Sequence, residues 1–575
     1  MAESPAEEAS RVALERVYAA LNEGHSFRLE AGAGAGKTYS LIKALEFLIA
    51  KYAREMPRRG QQIACITYTN VARDEILARI DSHPIIRCDT NHGFCWSLIS
   101  GFQRQLRQLV AAMPAWAERL AEVEGIGERA VEYSLGHRSV RDHAVSLHHD
   151  DVLPLTISLM EHAKFRRLVA QRFPIILIDE YQDTDADWIG AIKQHFLGVE
   201  GAPLFAFFGD HWQKIYGNGC GKLDHPAVEE IDKGANFRSV QTIVDVLNAM
   251  RPELPQFVED PDAPGDVRVF LTNDWVGTRR TGNHWGGDLP TEAAHQALDA
   301  VRAELEAASW DITPEHTKIL MLTHRVLAAE QGYASLPAAF RYNESFTRKE
   351  HPYISWFVDM LEPACEAFAT RRYGEMFEAL GAGVPHLRRA ADKQSWSGAM
   401  TALLALREHA TVGQVISHLR ASRRPRLPDA ILDREREFDA IGPEADEEMR
   451  PALAEIERLK AVNYAEIVAL RRYLAGSSPF ETKHGVKGAQ FENVLVIVGR
   501  GWNIYNFNEM LELASAPAIP AARQEAFERN RNLFYVACSR PQRRLAVLFT
   551  QKLSPAAIGT LETWFGADRI EMVAI

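Results

Sequence analysis

The run Ala31-Gly32-Ala33-Gly34-Ala35-Gly36-Lys37-Thr38 has the composition of a loop that holds phosphate. Glycines let the backbone turn tightly and bring its N–H groups against phosphate oxygens. Lys37 can then reach the β- and γ-oxygens, and the Thr38 hydroxyl is placed for Mg²⁺. Ala31 stands where the usual pattern begins with glycine. Two further polar clusters end apolar runs. Asp179-Glu180 closes the run from Phe173 to Ile178; Asp179 can hold Mg²⁺ through its water shell, and Glu180 can orient and deprotonate a water that attacks the γ-phosphate. Gln213, just beyond Gly209-Asp210, is a polar group able to sense that phosphate. The chemistry these residues fit is Mg²⁺-assisted hydrolysis of a nucleoside triphosphate such as ATP.

Such residues must be presented together by strand ends. Phe27 to Leu29 reads as a strand before the loop, and a helical run begins near Tyr39. Ile63 to Thr67 is a second strand, ending in Tyr68-Thr69-Asn70 and passing into a helix from Val71 to Ile80. Asp89 to Phe94 makes a third such handover, and Leu204 to Phe208 is a further apolar strand. Continuously apolar strands alternating with helices predict a parallel sheet buried on both faces, with function at the carboxyl ends of its strands. A helix is also expected from Glu7 to Leu21. After a linker rich in proline and acid from Arg251 to Gly265, a second set of strands is expected at Val267–Leu271, Lys318–Leu322, Val494–Val498 and Leu545–Phe549.

The class predicted is α/β, with two parallel-sheet domains, each interrupted by a mainly helical insertion. The boundaries expected are 1–100 with 166–262, insertion 101–165, then 263–345 with 476–575, insertion 346–475. In the first insertion His148-His149-Asp150-Asp151 offers metal-ligand types. Neighbouring residues point to different faces, so a helix N-cap at Asp150 or Asp151 is the preferred reading.

Composition narrows the class further. Hydrophobic residues at 46% and charged residues at 25% suit a globular chain of several domains. No apolar run approaches the ~20 residues of a membrane span, and Met1 to Ser10 is acidic, so a cytoplasmic protein without membrane contact is expected. Six cysteines without C-x-x-C spacing read as buried thiols. A net charge of −12 argues against a coat on nucleic acid but leaves room for a local basic channel. For Arg420, Arg423, Arg424 and Arg426, a solvated loop and a nucleic-acid contact carry equal weight.

In sequence order, the motifs resemble those of superfamily 1 helicases of the UvrD/Rep type. Ala31 to Thr38 is similar to A-G-A-G-S-G-K-T, Thr67 to Asn70 to T-F-T-N, and Thr90 to Gly93 to T-F-H-[GS]. Asp179 to Thr184 resembles D-E-F-Q-D-T, Gly209 to Tyr216 G-D-D-D-Q-S-I-Y, and Asn236 to Ser239 N-Y-R-S. Thr482 to Gly488 looks like T-L-H-S-A-K-G, and Tyr535 to Arg540 like Y-V-G-V-T-R. The resemblance implies two RecA-like motor domains with an ATP site between them. Beyond Lys37, Glu180 and Gln213, it adds Arg238 and Arg540 as fingers on the γ-phosphate, Tyr39 beside the phosphate loop, and Gln490 at the ribose.

It further implies 3′→5′ movement on single-stranded and tailed duplex DNA, with Tyr68 stacking on bases and Thr69, Asn70, Thr90, His92, Thr482 and His484 along the strand. The family's adenine-reading glutamine has no counterpart, because no Gln precedes Gln61. Gly217-Asn218-Gly219-Cys220-Gly221 replaces a segment that carries a stacking ring. About 35 residues follow Arg540, so no fused nuclease is expected. Stand-alone members of this type serve bacterial antiviral operons such as Gabija-type systems, which implies a separate nuclease subunit as partner.

Overall fold

The computed structural model describes residues 3–575 except 134–137, 216, 283–284, 323–331, 341–343, 348, 350, 382–388, 441–449, 475–479, 483–489 and 501–504. The chain folds as two compact units. The first comprises Met1–Val267, Glu509–Leu545 and Ala556–Arg569, and the second Arg268–Asn508, Ala546–Pro555 and Ile570–Ile575.

The first unit is built on β1 (Phe27–Ala31), β2 (Ile63–Thr67), β3 (Ile86–Thr90), β4 (Ile175–Asp179), β5 (Leu204–Gly209) and β6 (Glu229–Lys233), in the order β3-β2-β4-β5-β1-β6. Every pairing in it is parallel. Alternate side chains of one strand serve opposite faces. Ile176, Ile178, Phe205 and Phe207 enter one apolar core, while Ile175, Leu177, Ala206 and Phe208 enter the other. That double burial explains why the central strands read as unbroken apolar runs. The register Leu29↔Phe208, Asp179↔Phe208 and Ala31↔Lys233 brings the carboxyl ends of β1, β4, β5 and β6 to one edge of the sheet.

Helix α1 (Pro5–Glu23) is closed by a Ser4–Glu7 capping box, and α2 (Lys37–Tyr52) follows the phosphate loop. The first insertion has helices such as Gln103–Ala112 and His149–Met160, but also a small sheet of Ala130–Tyr133, Ser139–Val140 and Ala144–Leu147. The cap of the latter helix falls on His148, earlier than expected. Its Nδ1 accepts from Asp150 N at 3.2 Å, and Asp151 Oδ2 accepts from His148 N at 2.9 Å. Asp151 is fully buried and takes Arg138 at 2.7 Å, which commits it to structure rather than to a metal.

The second unit carries most of a further sheet, made of β7 (Asp266–Leu271), β8 (Thr317–Met321), β9 (Phe480–Thr482), β10 (Phe491–Val498), β11 (Pro541–Phe549) and β12 (Ile570–Met572), ordered β9-β8-β10-β11-β7-β12. Its 346–475 segment is helical in the described residues, and one apolar core joins those helices to the sheet. Two of the clustered arginines are engaged there: Arg420 with Asp439 at 2.6 Å and Arg426 with Asp429 at 2.7 Å. All six cysteines are free thiols, four of them buried. Among the described residues no helix is long and apolar enough to cross a membrane.

Candidate nucleotide site

Gly34 and Gly36 adopt φ of 74° and 73°, the left-handed region that glycine enters at little cost. A Cβ at Gly34 would stand 2.7 Å from Asn236 Oδ1 and 2.8 Å from Arg238 Cβ, so only glycine fits. Ala31 is tolerated because it closes β1 in extended conformation, ahead of the turn. Three bonds hold the loop from behind. Asn236 Nδ2 and Gln256 Nε2 each donate to Ala33 O at 3.0 Å, and Phe237 N donates to Gly34 O at 2.9 Å. The N-cap of α2 is Gly36, and no side chain caps its first turn. Its N–H groups are thus left for an anion, the arrangement a triphosphate needs. The donor types for Mg²⁺ fit as well: the Thr38 hydroxyl on the first turn of α2 and the Asp179 carboxylate at the end of β4.

Glu180 follows Asp179 with φ of 48°, a conformation uncommon outside glycine and frequent at functional sites. Gln182 Nε2 donates to its Oε2 at 2.5 Å, and Asp210 N donates to Gln182 Oε1 at 3.1 Å. Asp210, fully buried, accepts from Gln213 Nε2 at 2.7 Å and from Arg251 at 2.7 Å. Gln213 Oε1 accepts in turn from Arg540 at 3.3 Å. Arg540 also donates to Val536 O at 2.9 Å, while Arg238 donates to Ser539 O at 3.0 Å. Burial first, and then the charge of Arg238, pushes the Arg540 guanidinium down to about 9. Two arginines in a desolvated setting favour an anion between them. Lys37, Thr38, Asp179, Glu180, Gln213, Arg238 and Arg540 therefore all lie in the first unit.

Behind this row lies a buried ionic network that sequence reading missed. Glu30 accepts from Arg251 at 3.0 Å and from the Tyr181 hydroxyl at 2.6 Å, and its carboxylate lies 2.6 Å from His211 Nδ1. Burial alone would raise Glu30; His211, Arg251 and Tyr181 outweigh it and hold the carboxyl well below its usual range. Glu30, Asp210 and His211 are metal-ligand types within reach of one another. Arg251 nevertheless binds both carboxylates, and its guanidinium supplies the charge that a cation would. The only sequence signal was a charged residue inside a buried strand. Arg251 and Gln256 are both buried, so the stretch first read as a linker includes two internal anchors.

Two rings flank the loop, of which the sequence reading singled out only Tyr39: Tyr39 and Phe237 keep 48% and 39% of their surfaces exposed beside it. Lys233 Nζ lies 5.7 Å from one ring centroid and 5.9 Å from the other.

The AAA domain family matches residues 15–218. The Gabija protein GajB of Bacillus cereus (strain HuB5-5) is 21% identical over 670 aligned positions, covering 93% of this chain and 94% of that protein. The ATP-dependent DNA helicase UvrD1 of Mycobacterium leprae (strain TN) is 25% identical over 301 positions, 40% of this chain and 38% of that protein. These similarities support a kinship with UvrD/Rep-like helicases, a family relationship that implies nucleotide use.

Where UvrD/Rep-like proteins carry DNA-contact motifs, the structure groups two of this chain's clusters. Thr67 pairs with Thr90 in register, which sets Tyr68-Thr69-Asn70 beside Thr90-Asn91-His92. Thr69 and Thr90 are helix N-caps, accepting from Ala72 N at 3.1 Å and Gly93 N at 3.3 Å. Asn70 opens the exposed first turn of the Asn70–Arg79 helix. Tyr68 is 43% exposed. The His92 ring stacks on His149 of the insertion at 3.4 Å, and burial with the charge of His149 pushes it down to about 4. Thr482 ends β9 in the second unit, and Gln490 is exposed just before β10. The Thr482 side chain and His484 lie outside the described residues. The glycine-rich segment after Tyr216 has a packing role: a Cβ at Gly219 would stand 2.4 Å from Gln182 O, and Cys220 N donates to Thr184 O at 2.8 Å.

Proposed function

We propose that this chain is a Mg²⁺-dependent ATPase that drives 3′→5′ movement along single-stranded DNA. The convergence of Lys37, Glu180, Gln213, Arg238 and Arg540 around one phosphate loop supports this reading most. In it the loop N–H groups and Lys37 bind the β- and γ-phosphates. Thr38 and Asp179 hold Mg²⁺, which supplies charge neutralisation at the phosphates. Glu180, fixed by Gln182, orients the attacking water and takes its proton. Arg238 and Arg540 meet the charge that grows on the γ-oxygens, and Gln213 ties Arg540 to Asp210 and so to β5. Tyr39 lies along the nucleoside and Gln490 serves the ribose. Tyr68, Thr69, Asn70, Thr90, His92, Thr482 and His484 track the DNA strand. The domain layout carried with this reading is 1–100 with 166–262 and 263–345 with 476–575 as motor domains, with 101–165 and 346–475 as insertions, in a cytoplasmic protein.

GajB similarity over nearly the full length of both chains supports a role in antiviral defence beside a separate nuclease subunit. A second reading, an NTP-dependent switch that docks that nuclease without strong unwinding, is favoured by the glycine-rich segment where the family carries a stacking ring. The experiment that tests both measures ATP turnover with and without single-stranded DNA, and then strand displacement from 3′-tailed and 5′-tailed duplexes. Stimulation with displacement from the 3′ tail is expected. Stimulation without displacement supports the switch, and the absence of ATP turnover in either condition overturns both. Copurification with a nuclease from the native host is expected; recovery without one counts against the partner.

A further inference from the structure

The residue that senses the γ-phosphate in the proposed reaction sits on a very short element. His211–Gln213 is a single 3₁₀ turn capped by Asp210, whose carboxylate accepts from Trp212 N at 3.0 Å. Within it Gln213 N donates to Asp210 O at 2.9 Å and Lys214 N to His211 O at 3.3 Å. So short a turn has little rigidity of its own, and what packs on it fixes where Gln213 points. The motifs that this chain resembles carry two acids where His211 and Trp212 stand, so the packing on Trp212 is this chain's own.

That packing comes from the helix Ala521–Cys538, which leads through Ser539 into Arg540. Asn532, 4% exposed, donates from Nδ2 to His211 O at 2.9 Å and to Lys214 O at 3.2 Å, the carbonyls on either side of Trp212-Gln213. Its Oδ1 accepts from Arg531 Nε at 3.2 Å and Nη2 at 2.9 Å. An amide presents donors at one end and an acceptor at the other. Arg531 therefore decides which end of Asn532 faces the turn. The Arg531 guanidinium carbon also lies 3.8 Å from the Trp212 ring centroid, and Tyr535, on the same helix face, meets that ring edge-on at 5.3 Å. One helical turn beyond Asn532, Val536 O accepts from Arg540 Nε at 2.9 Å. The helix thus sets both partners of the contact between Gln213 Oε1 and Arg540 at 3.3 Å, the arginine directly and the glutamine through Asn532.

We propose that Asn532, oriented by Arg531, is a positioning residue for hydrolysis: it registers the Gln213 turn to the helix that leads into Arg540. Its polar atoms are committed to the turn and to Arg531, so it acts through Gln213 and not on the phosphate itself. This deepens the triphosphatase reading and rests on it. Loss of the grip leaves the phosphate loop, which is braced by other residues, able to bind nucleotide. What suffers is the alignment of Gln213 and Arg540 with charge that grows only in the transition state. The signature is a fall in kcat with KM kept.

The test measures steady-state turnover of Mg·ATP in wild type, Asn532→Asp, Arg531→Met, Arg531→Lys, Gln213→Ala and the double variant Gln213→Ala with Asn532→Asp. Asn532→Asp keeps the shape and still meets Arg531, but turns an acceptor toward two carbonyls; Arg531→Met leaves Asn532 in place with its amide free to turn. Asn532→Asp is expected to lower kcat by about 10- to 100-fold with KM within about threefold of wild type. Arg531→Met should lose about tenfold in kcat, and Arg531→Lys, which restores a donor to Asn532, should recover part of it. In the Gln213→Ala background Asn532→Asp should cost no more than about a further twofold, because the two residues act as a unit. A loss carried by KM with kcat unchanged, wild-type turnover in both Asn532→Asp and Arg531→Met, or a full additive loss in the double variant would overturn the proposal. Should Gln213→Ala alone keep wild-type turnover, or wild type hydrolyse no ATP, the triphosphatase reading beneath would fall instead.

Discussion

At Glu180 a non-glycine residue is held at φ of 48°, and Gln182 fixes its carboxylate from one side. Such strain persists where the surroundings over-determine it, here through Asp179, Gln182 and Asp210. A residue held in that way for proton transfer should fail in rate rather than in binding. Glu180→Gln is therefore expected to bind ATP within a few-fold of wild type and to lose roughly 10²–10⁴ in turnover, as seen for displaced general bases. Nucleotide titration and steady-state hydrolysis on one sample check it; an active Glu180→Gln protein would remove the assignment. The Glu30–Arg251–Asp210 network makes a different prediction. Arg251→Met leaves two buried carboxylates without their cation, at a cost of about 3–5 kcal/mol in denaturant unfolding. Adding Glu30→Leu should return part of that loss, because the two sites share one interaction. Chelators should leave wild-type stability unchanged, since a guanidinium, and no metal, supplies the charge.

At the scale of elements, the first insertion is tied to the sheet through rings as well as apolar contacts. His92 follows β3, His149 opens an insertion helix, and the two stack; Tyr133 of the small sheet bonds to His149 Nδ1 at 2.8 Å. His92 titrates at about 4 in the folded chain against 6.5 when unfolded. The unfolded chain therefore takes up the proton first, and stability that is full above pH 6.5 declines as pH falls toward 4. His92→Gln should flatten that decline in melting temperature measured from pH 7 to 4. The same region shows what sequence could convey. Strands β2, β4 and β5 announced themselves because both faces are buried. Edge strand β6, Glu229-Glu230-Ile231-Asp232-Lys233, did not: Glu229, Glu230 and Asp232 are exposed, and Ile231 alone is apolar. The insertion's strands of two to four residues were hidden for the same lack of pattern. The phosphate loop was legible as a contiguous run. Glu30, Arg251 and Lys233 were not, because each depends on a partner brought near by the fold.

For the molecule as a whole, a net charge of −12 constrains how DNA can be held. Binding that rests on phosphate neutralisation requires many cations on one surface, and its affinity falls steeply with salt. Here the DNA-contact candidates of the first unit are an exposed tyrosine, two threonine caps, an asparagine and a histidine kept neutral at physiological pH. Those groups favour stacking and neutral hydrogen bonds. The expected salt dependence of single-stranded DNA binding is accordingly shallow, a slope of about −3 or less in magnitude, corresponding to some four phosphates or fewer. Tyr68→Ala should lower affinity by about 1–3 kcal/mol, or roughly five- to 150-fold, at every salt concentration, leaving the slope itself unchanged. Fluorescence anisotropy with a labelled homopolymeric strand between 50 and 300 mM salt, roughly the range over which phosphate contacts separate, measures both quantities at once. A steep slope with an indifferent Tyr68→Ala would move the DNA contact to arginine-rich surfaces, and Arg423 and Arg424 would be the first residues to replace.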